Sequence, residues 1–211
     1  MAEDKIKVAI VFGGRSTEHE ISILSAQNVY KSLDKDRFEP VLIGIDKQGQ
    51  WHYNDTAKLL LDNEQNKQIT SMSNPVLLSQ NTSERTLVSK NSNKTITTID
   101  VLFPVLHGTY GEDGSIQGLA KLANIPVVGC GVLGSAVGMD KDIMKRILRD
   151  ADIPVAKWIT VRNSPNGVEY ENVSSILGAE VFIKPANLGS SVGVAFAKNK
   201  MEFDEGLMEA L

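Results

Sequence analysis

The sequence predicts an α/β protein built on a parallel sheet, and three observations carry that prediction. Residues 6–12, Ile-Lys-Val-Ala-Ile-Val-Phe, are apolar enough to be covered on both faces, as strands of parallel sheets are. Gly13-Gly14 breaks the run just before a helical pattern, and strand, glycine turn, helix is a common way to place a ligand at a helix N-terminus. Residues 99–106 resume the sheet and run straight into a glycine-rich loop, where open α/β sheets place their ligands.

Composition bounds the answer. The 211 residues allow one large domain or two small ones. Hydrophobic residues make up 42% and charged residues 23%, which suits a packed core and a wetted surface. Net charge is 22 − 26 = −4, so there is no general nucleic-acid footprint. No apolar run reaches membrane length, and Met1-Ala2-Glu3-Asp4-Lys5 lacks a signal-peptide pattern, so a soluble cytoplasmic protein is expected. One cysteine, Cys130, excludes an internal disulfide framework and a cysteine-built metal site.

After the glycine turn, Thr17-Glu18-His19-Glu20 fits a capping box with Glu20 as its acid, and Ile21, Val29 and Leu33, with Leu24 beside them, form the expected buried face. Glu18 is spare in this cap. It is either a simple dipole-stabilising acid or free for a ligand. Residues 40–45 read as the next strand, with residues 51–53 returning as an edge strand in which His52 is a surface residue. Residues 56–98 are rich in Asn, Gln, Ser, Thr and Lys and read as an insertion containing a small hairpin, residues 76–78 against 86–88.

The loop His107-Gly108-Thr109-Tyr110-Gly111-Glu112-Asp113-Gly114 offers a histidine and two acids for acid–base work or substrate binding, with Asp113 suited to cap the helix expected at 115–124. His107 can equally be a satisfied structural histidine. A short strand follows at 125–128. Gly129-Cys130-Gly131-Val132-Leu133-Gly134 is a literal dinucleotide fingerprint, but no acid ends a strand about 20 residues on, which argues against a Rossmann oxidoreductase.

Asp140 is a good N-cap for a helix with an apolar stripe of Ile143, Met144, Ile147, Leu148 and Ala151. Lys141 then opposes the helix dipole in the first turn, which suggests an anionic partner unless Asp142 offsets it. A strand is expected at 155–161. Residues 181–183 read as a further strand, with Val192, Val194 and Phe196 returning beside it. Between them Gly189-Ser190-Ser191 can wrap phosphate oxygens with amides and hydroxyls, and Lys184 can reach the same phosphate, although an ordinary hairpin with a solvated lysine fits too. The last residues are helical, with Phe203, Leu207 and Leu211 on one row and no stop signal.

Four motifs in order resemble the D-alanine–D-alanine ligases of the ATP-grasp superfamily. They are Phe12-Gly13-Gly14-Arg15-Ser16-Thr17-Glu18-His19-Glu20-Ile21-Ser22, the run from Leu106 through the histidine loop to Gly118, Gly138-Met139-Asp140-Lys141, and Lys184-Pro185-Ala186-Asn187-Leu188-Gly189-Ser190-Ser191-Val192-Gly193. The resemblance implies a Rossmann-like preATP-grasp substrate domain at 1–132 and the first part of an ATP-grasp central domain at 133–211. It implies an ATP- and Mg2+-dependent joining of two D-alanines through a D-alanyl phosphate, for peptidoglycan precursors, and a homodimer. Glu18 would hold the amino group of the first D-alanine and His107 would lie beside it. Lys141, Lys184, Ser190 and Ser191 would contact the nucleotide phosphates, and Ser190 would also join Glu18 in fixing the substrate site. Metal ligands, a catalytic arginine and a closing loop are expected beyond residue 211, so the 211-residue chain alone is expected to be inactive. D-alanine–D-lactate or D-alanine–D-serine ligation, and a non-catalytic nucleotide-binding module, are the alternatives.

Overall fold

In the computed structural model, which describes residues 4–53, 74–79, 83–162 and 168–211, the first half is a parallel sheet with helices on both faces. Strand β1 (Ile6–Gly13) lies at its centre, between β2 (Phe38–Ile45) and β7 (Val101–Pro104), both parallel to it. β3 (Trp51–His52) adds an antiparallel edge to β2, and a single parallel bridge from Leu102 to Val127 stands where a strand at 125–128 was expected.

Side-chain alternation along β1 explains why the whole run is apolar. Val8, Ile10 and Phe12 point to one face and pack with Ile23 and Ala26 of helix α1 (His19–Ser32). Ala9 and Val11 point to the other and pack with Ile116 and Ala120 of helix α2 (Ser115–Leu122) and with Ala123. Phe12 and Ile10 are fully buried, and each such side chain contributes about 1.5–3 kcal/mol of transfer free energy.

The insertion is a three-stranded antiparallel sheet, β4 (Val76–Leu78), β5 (Thr86–Ser89) and β6 (Thr95–Thr98), one strand more than the hairpin read from sequence. Val76 and Leu87 feed the core on the α2 face. The rest of the insertion at 54–73 and 80–82 lies outside the described residues.

The chain divides into two compact units, Met1–Ala136 and Val137–Leu211, and the division falls within helix α3 (Val132–Met139). In the second unit helix α4 (Lys141–Asp150) is followed by helix α5 (Tyr170–Leu177), a hairpin of β8 (Val181–Ile183) and β9 (Ala195–Ala197), and helix α6 (Lys200–Ala210). Val173, Val181, Ala197, Phe203 and Leu207 form its core.

Several expectations need correction. No capping box forms: Glu18 takes the N-cap position without a side-chain cap bond, while the Glu20 carboxylate accepts from Lys47 Nζ at 2.6 Å. The cation 27 residues away outcompetes the backbone amide. Ile21 is half exposed, because buried polar residues, His19 and Ser22, claim the sheet-facing side of the first turn. Residues 155–161 form no strand, and they are held by side chains instead. His52 is buried, bonded through Nε2 to Asp46 Oδ2 at 2.8 Å. The stripe on α4 is open among the described residues, with Ile143 and Ile147 exposed and Asp142 the buried member of that helix.

Candidate functional site

At the carboxyl end of β1 the backbone turns through Gly13 and Gly14, both with positive φ. The turn is fastened from beneath. Ser22 Oγ accepts from Gly13 N at 2.8 Å and donates to Val105 O, tying β1 to the segment after β7. His19 Nδ1 donates to Gly14 O at 2.7 Å, and Gly14 N donates to Ile45 O at 2.8 Å. With these groups satisfied by buried partners, Glu18 is left at the helix start with its backbone engaged and its carboxylate outside the cap. Its amide accepts no burden from the acid either, since Glu18 N donates to Ser16 Oγ at 3.2 Å.

The histidine loop meets this turn. A Cβ on Gly108 would lie 3.6 Å from Glu18 Oε2, so the acid and the loop are neighbours. His107 Nε2 pairs with Ser25 Oγ at 3.0 Å, which fixes the ring against α1. Gly108 N donates to Glu112 Oε2 at 2.8 Å, and Asp113 accepts from Tyr110 N and Ser115 N, at 2.8 and 3.0 Å. Burial pushes the Asp113 carboxyl up, but these amide bonds outweigh it and hold the group below its ordinary value. Asp113 therefore shapes the loop and anchors the start of α2. Beside it a cleft of about 350 Å³ opens over the strand ends, lined by Gly13, Gly14, His107 and Thr109 and walled by Arg15 stacked 4.2 Å above the Tyr110 ring.

In the second unit the sequence-singled lysine sits where expected. Asp140 caps α4, its carboxylate accepting from Asp142 N and Ile143 N, both at 2.9 Å. Lys141 N donates to Ala186 O at 3.0 Å, and its ammonium donates to the carbonyls of Pro185 (3.1 Å) and Leu188. The first turn of α4 is thus bonded to the stretch that leaves β8. Lys184 follows that strand directly, exposed, its ammonium 5.4 Å from the Phe182 ring, and Phe182 stacks on Phe196 of β9 at 4.8 Å. Burial lowers the pKa of Lys141, and the neighbouring Lys184 lowers it further, against the opposing pull of Asp140. This pair of cations repels itself, and an anion is what relieves it.

Between the strands, Ser190 and Ser191 both have left-handed backbones, φ 57° and 60°. Such residues cost of order 1 kcal/mol each and persist where surroundings over-determine them. Gly193 shows one determinant: its φ is +65°, and a Cβ there would strike Pro185 Cγ at 2.8 Å. Val192 N and Val194 N close turns onto Gly189 O and Ser191 O. The amides of Gly189, Ser190 and Ser191 and both serine hydroxyls make no hydrogen bond among the described residues.

The first unit thus sets Glu18 against Gly108 of the loop that carries His107, and the second brings Lys141, Lys184, Ser190 and Ser191 onto one helix start and one hairpin loop. The roles of Ser25 as partner of His107 and of Asp142 as an anchor were not read from the sequence. Ser25 lies 82 residues from His107, so no local pattern joins them. Asp142 had two signals, its place beside an anomalous lysine and Arg146 four residues on, but its other partners, Trp158, Thr160 and Arg162, lie 16 to 20 residues on. Among the described residues no group of three or more His, Cys, Asp or Glu is placed to hold a metal ion, and no helix is long and apolar enough to cross a membrane.

A parallel sheet with its acid and histidine at the strand ends, followed by a lysine-bearing small-residue hairpin, is the build of a preATP-grasp domain leading into an ATP-grasp domain. The comparisons with known proteins narrow the class. The family described as D-ala D-ala ligase N-terminus matches residues 7–130, and that described as D-ala D-ala ligase C-terminus matches residues 147–211. The chain is 47% identical over 209 residues to the D-alanine–D-alanine ligase of Shouchella clausii, covering 98% of this chain and 57% of the relative. It is 45% identical over 203 residues to D-alanine–D-alanine ligase A of Escherichia coli K12, covering 95% and 56%. Among solved structures, the D-alanine–D-alanine ligase from Coxiella burnetii superposes with a TM-score of 0.85 at 35% identity, covering 98% of this chain and 60% of that one. The VanG D-Ala:D-Ser ligase from Enterococcus faecalis gives 0.83 at 36%, with the same coverage. The chain belongs to the D-alanine–D-alanine ligase family, and it spans a little over half the length of these curated relatives.

Proposed function

We propose that this chain is part of an ATP-dependent ligase that joins two D-alanines through a D-alanyl phosphate, in the supply of peptidoglycan precursors. In this reading residues 1–132 bind the first substrate and residues 133–211 begin the domain that grips the nucleotide. The observation that carries it is the pairing of Lys141 with Lys184 beside a loop whose amides and hydroxyls are open. A Lys141 whose pKa is lowered by burial and by the neighbouring Lys184 cation, next to N–H and O–H donors unpaired among the described residues, fits the oxygens of a polyphosphate. The exposed Phe182–Phe196 pair beside Lys184 offers a flat apolar face suited to a purine ring.

ATP supplies the phosphoryl group that activates the carboxylate of the first D-alanine. This chain's own residues position and neutralise. Glu18, held at the start of α1 with its carboxylate outside the cap, accepts from the ammonium of the first D-alanine, and His107, fixed by Ser25, lines the same place. Lys141, Lys184, Ser190 and Ser191 hold phosphate oxygens, so that charge developing there meets fixed donors without solvent reorganisation. Among the described residues no group of three or more His, Cys, Asp or Glu stands together to hold a magnesium ion.

Glu18→Gln tests this reading in a protein of full family length carrying this sequence. Loss of a charge-assisted contact contributes about 1.5–3 kcal/mol, so use of the first D-alanine should weaken by about ten- to a hundredfold. The KM for ATP should hardly change. Unchanged D-alanine kinetics in a protein that merely melts earlier would reduce Glu18 to a helix-start residue. The likeness to a D-Ala:D-Ser ligase supports a second acceptor, and competition between D-alanine, D-serine and D-lactate for the second position decides that point.

A further inference from the structure

Three consecutive residues at the start of α4 make three different tethers. The Asp140 carboxylate caps its own helix. Lys141 is bonded to the carbonyls of Pro185, Ala186 and Leu188. Asp142 gathers the opposite side: Oδ1 accepts from Thr160 Oγ1 (2.6 Å), Trp158 Nε1 (3.0 Å) and Arg146 Nε (3.1 Å), and Oδ2 from Arg146 Nε (3.0 Å) and Arg162 Nη2 (3.2 Å). The carboxylate is only 8% exposed. Residues 158–162 have no ladder bonds to hold them, and the apolar stripe of α4 is open among the described residues. The pose of this helix start therefore rests on polar contacts, and Asp142 makes most of them on the side away from Lys141's partners.

We infer that Asp142 is a positioning residue for Lys141, fixing the first turn of α4 so that the lysine ammonium is presented to the nucleotide phosphates. The inference rests on the nucleotide role proposed for Lys141. The hydrogen bonds from Thr160, then Trp158 and Arg146, hold the Asp142 carboxyl well below its ordinary value, so it keeps its charge throughout the working pH range. An amide at this position presents an NH2 group to a ring of donors. The turn then has to shift to relieve that clash, and the neighbouring lysine moves with it.

The test is a double-mutant cycle in a protein of full family length carrying this sequence. Misplacing a positioning group by about 1 Å costs up to about a hundredfold. Asp142→Asn should therefore raise the KM for ATP about tenfold while the KM for D-alanine stays within about twofold. On a Lys141→Ala background the same change should add less than about twofold, because the group through which it acts is gone. Thr160→Val removes one donor and keeps the charge. It should raise the ATP KM by a smaller factor at near-native melting temperature, and so carries the test if Asp142→Asn does not fold. Effects that multiply in full across the cycle, or an unchanged ATP KM in both Asp142→Asn and Thr160→Val, overturn the inference and leave Asp142 a structural anchor. If Lys141→Ala itself leaves the ATP KM unchanged, the nucleotide role of Lys141 fails first and takes this inference with it.

Discussion

The two candidate ligand regions solve the problem of exposed backbone groups in opposite ways. At the end of β1, Gly13 N and Gly14 O are bonded to Ser22 and His19, both buried, and the adjoining turn is closed by Asp46, which accepts from Gln48 N (2.9 Å), Gln50 N (2.8 Å) and His52. The protein satisfies this region by itself, and the Glu18 carboxylate makes no cap bond at the helix start. In the hairpin loop, the amides of Gly189, Ser190 and Ser191 and both serine hydroxyls make no bond among the described residues, and the two serines are exposed with left-handed backbones. In the proposed reading a polyphosphate completes that region. A small amino acid needs a rigid site with one well-placed charge, whereas a polyphosphate brings enough oxygens to organise its own loop.

The comparison predicts unequal responses to deletion. The largest effect on stability is expected at Asp46. Bonds to a charged group contribute about 1.5–3 kcal/mol, and Asp46→Ala should lose about that much in denaturant unfolding at neutral pH. Burial pushes the Asp46 carboxyl up, but His52 and the Gln50 and Gln48 amides more than offset it, leaving it below its ordinary value. Its unfolded pKa is about 3.9, so this stabilisation is fully present above that pH and is lost as pH falls through the lower folded value. The gap between Asp46→Ala and the parent should close in strong acid; a gap that persists there assigns the loss to packing.

Ser22→Ala comes next, at about 1–3 kcal/mol, since it strands Gly13 N–H and Val105 C=O away from water. A loss below about 0.5 kcal/mol would show that the β1 turn is not held as described. The smallest effect belongs to the open loop. Lys184→Ala and Ser191→Ala should each change unfolding free energy by no more than about 0.5 kcal/mol, because both residues are exposed and neither side chain is hydrogen-bonded among the described residues. Lys184→Ala should nevertheless weaken ATP binding at least about tenfold in titration.

What the sequence made legible was whatever depends on local pattern. The apolar runs of β1 and β2, the glycine break after Phe12 and the Asp140 cap follow from neighbours a few residues away. Lys141 was visible because a cation in the first turn breaks a local rule, and the structure supplies its second cation in Lys184, 43 positions on. What stayed hidden were closures between distant polar groups. His52 looked like a surface strand residue because nothing nearby says that Asp46 will turn back to meet it. Glu20 looked like a capping acid until Lys47 was brought to it. Residues 155–161 have the β-branched look of a strand, yet Trp158, Thr160 and Arg162 are spent on Asp142 rather than on a ladder.

The claim that the hairpin loop is left open for a polyphosphate while the β1 turn is closed by the protein is tested most directly by hydrogen exchange. Residues 184–194 and 13–22 are followed together, in a protein of full family length carrying this sequence, with and without an ATP analogue and magnesium. Before nucleotide is added, the amides of Gly189, Ser190 and Ser191 should exchange quickly and that of Gly13 slowly. Nucleotide should protect the loop amides and leave Gly13 as it was. Unchanged exchange across 184–194 under saturating nucleotide would contradict the account and leave this stretch an ordinary hairpin.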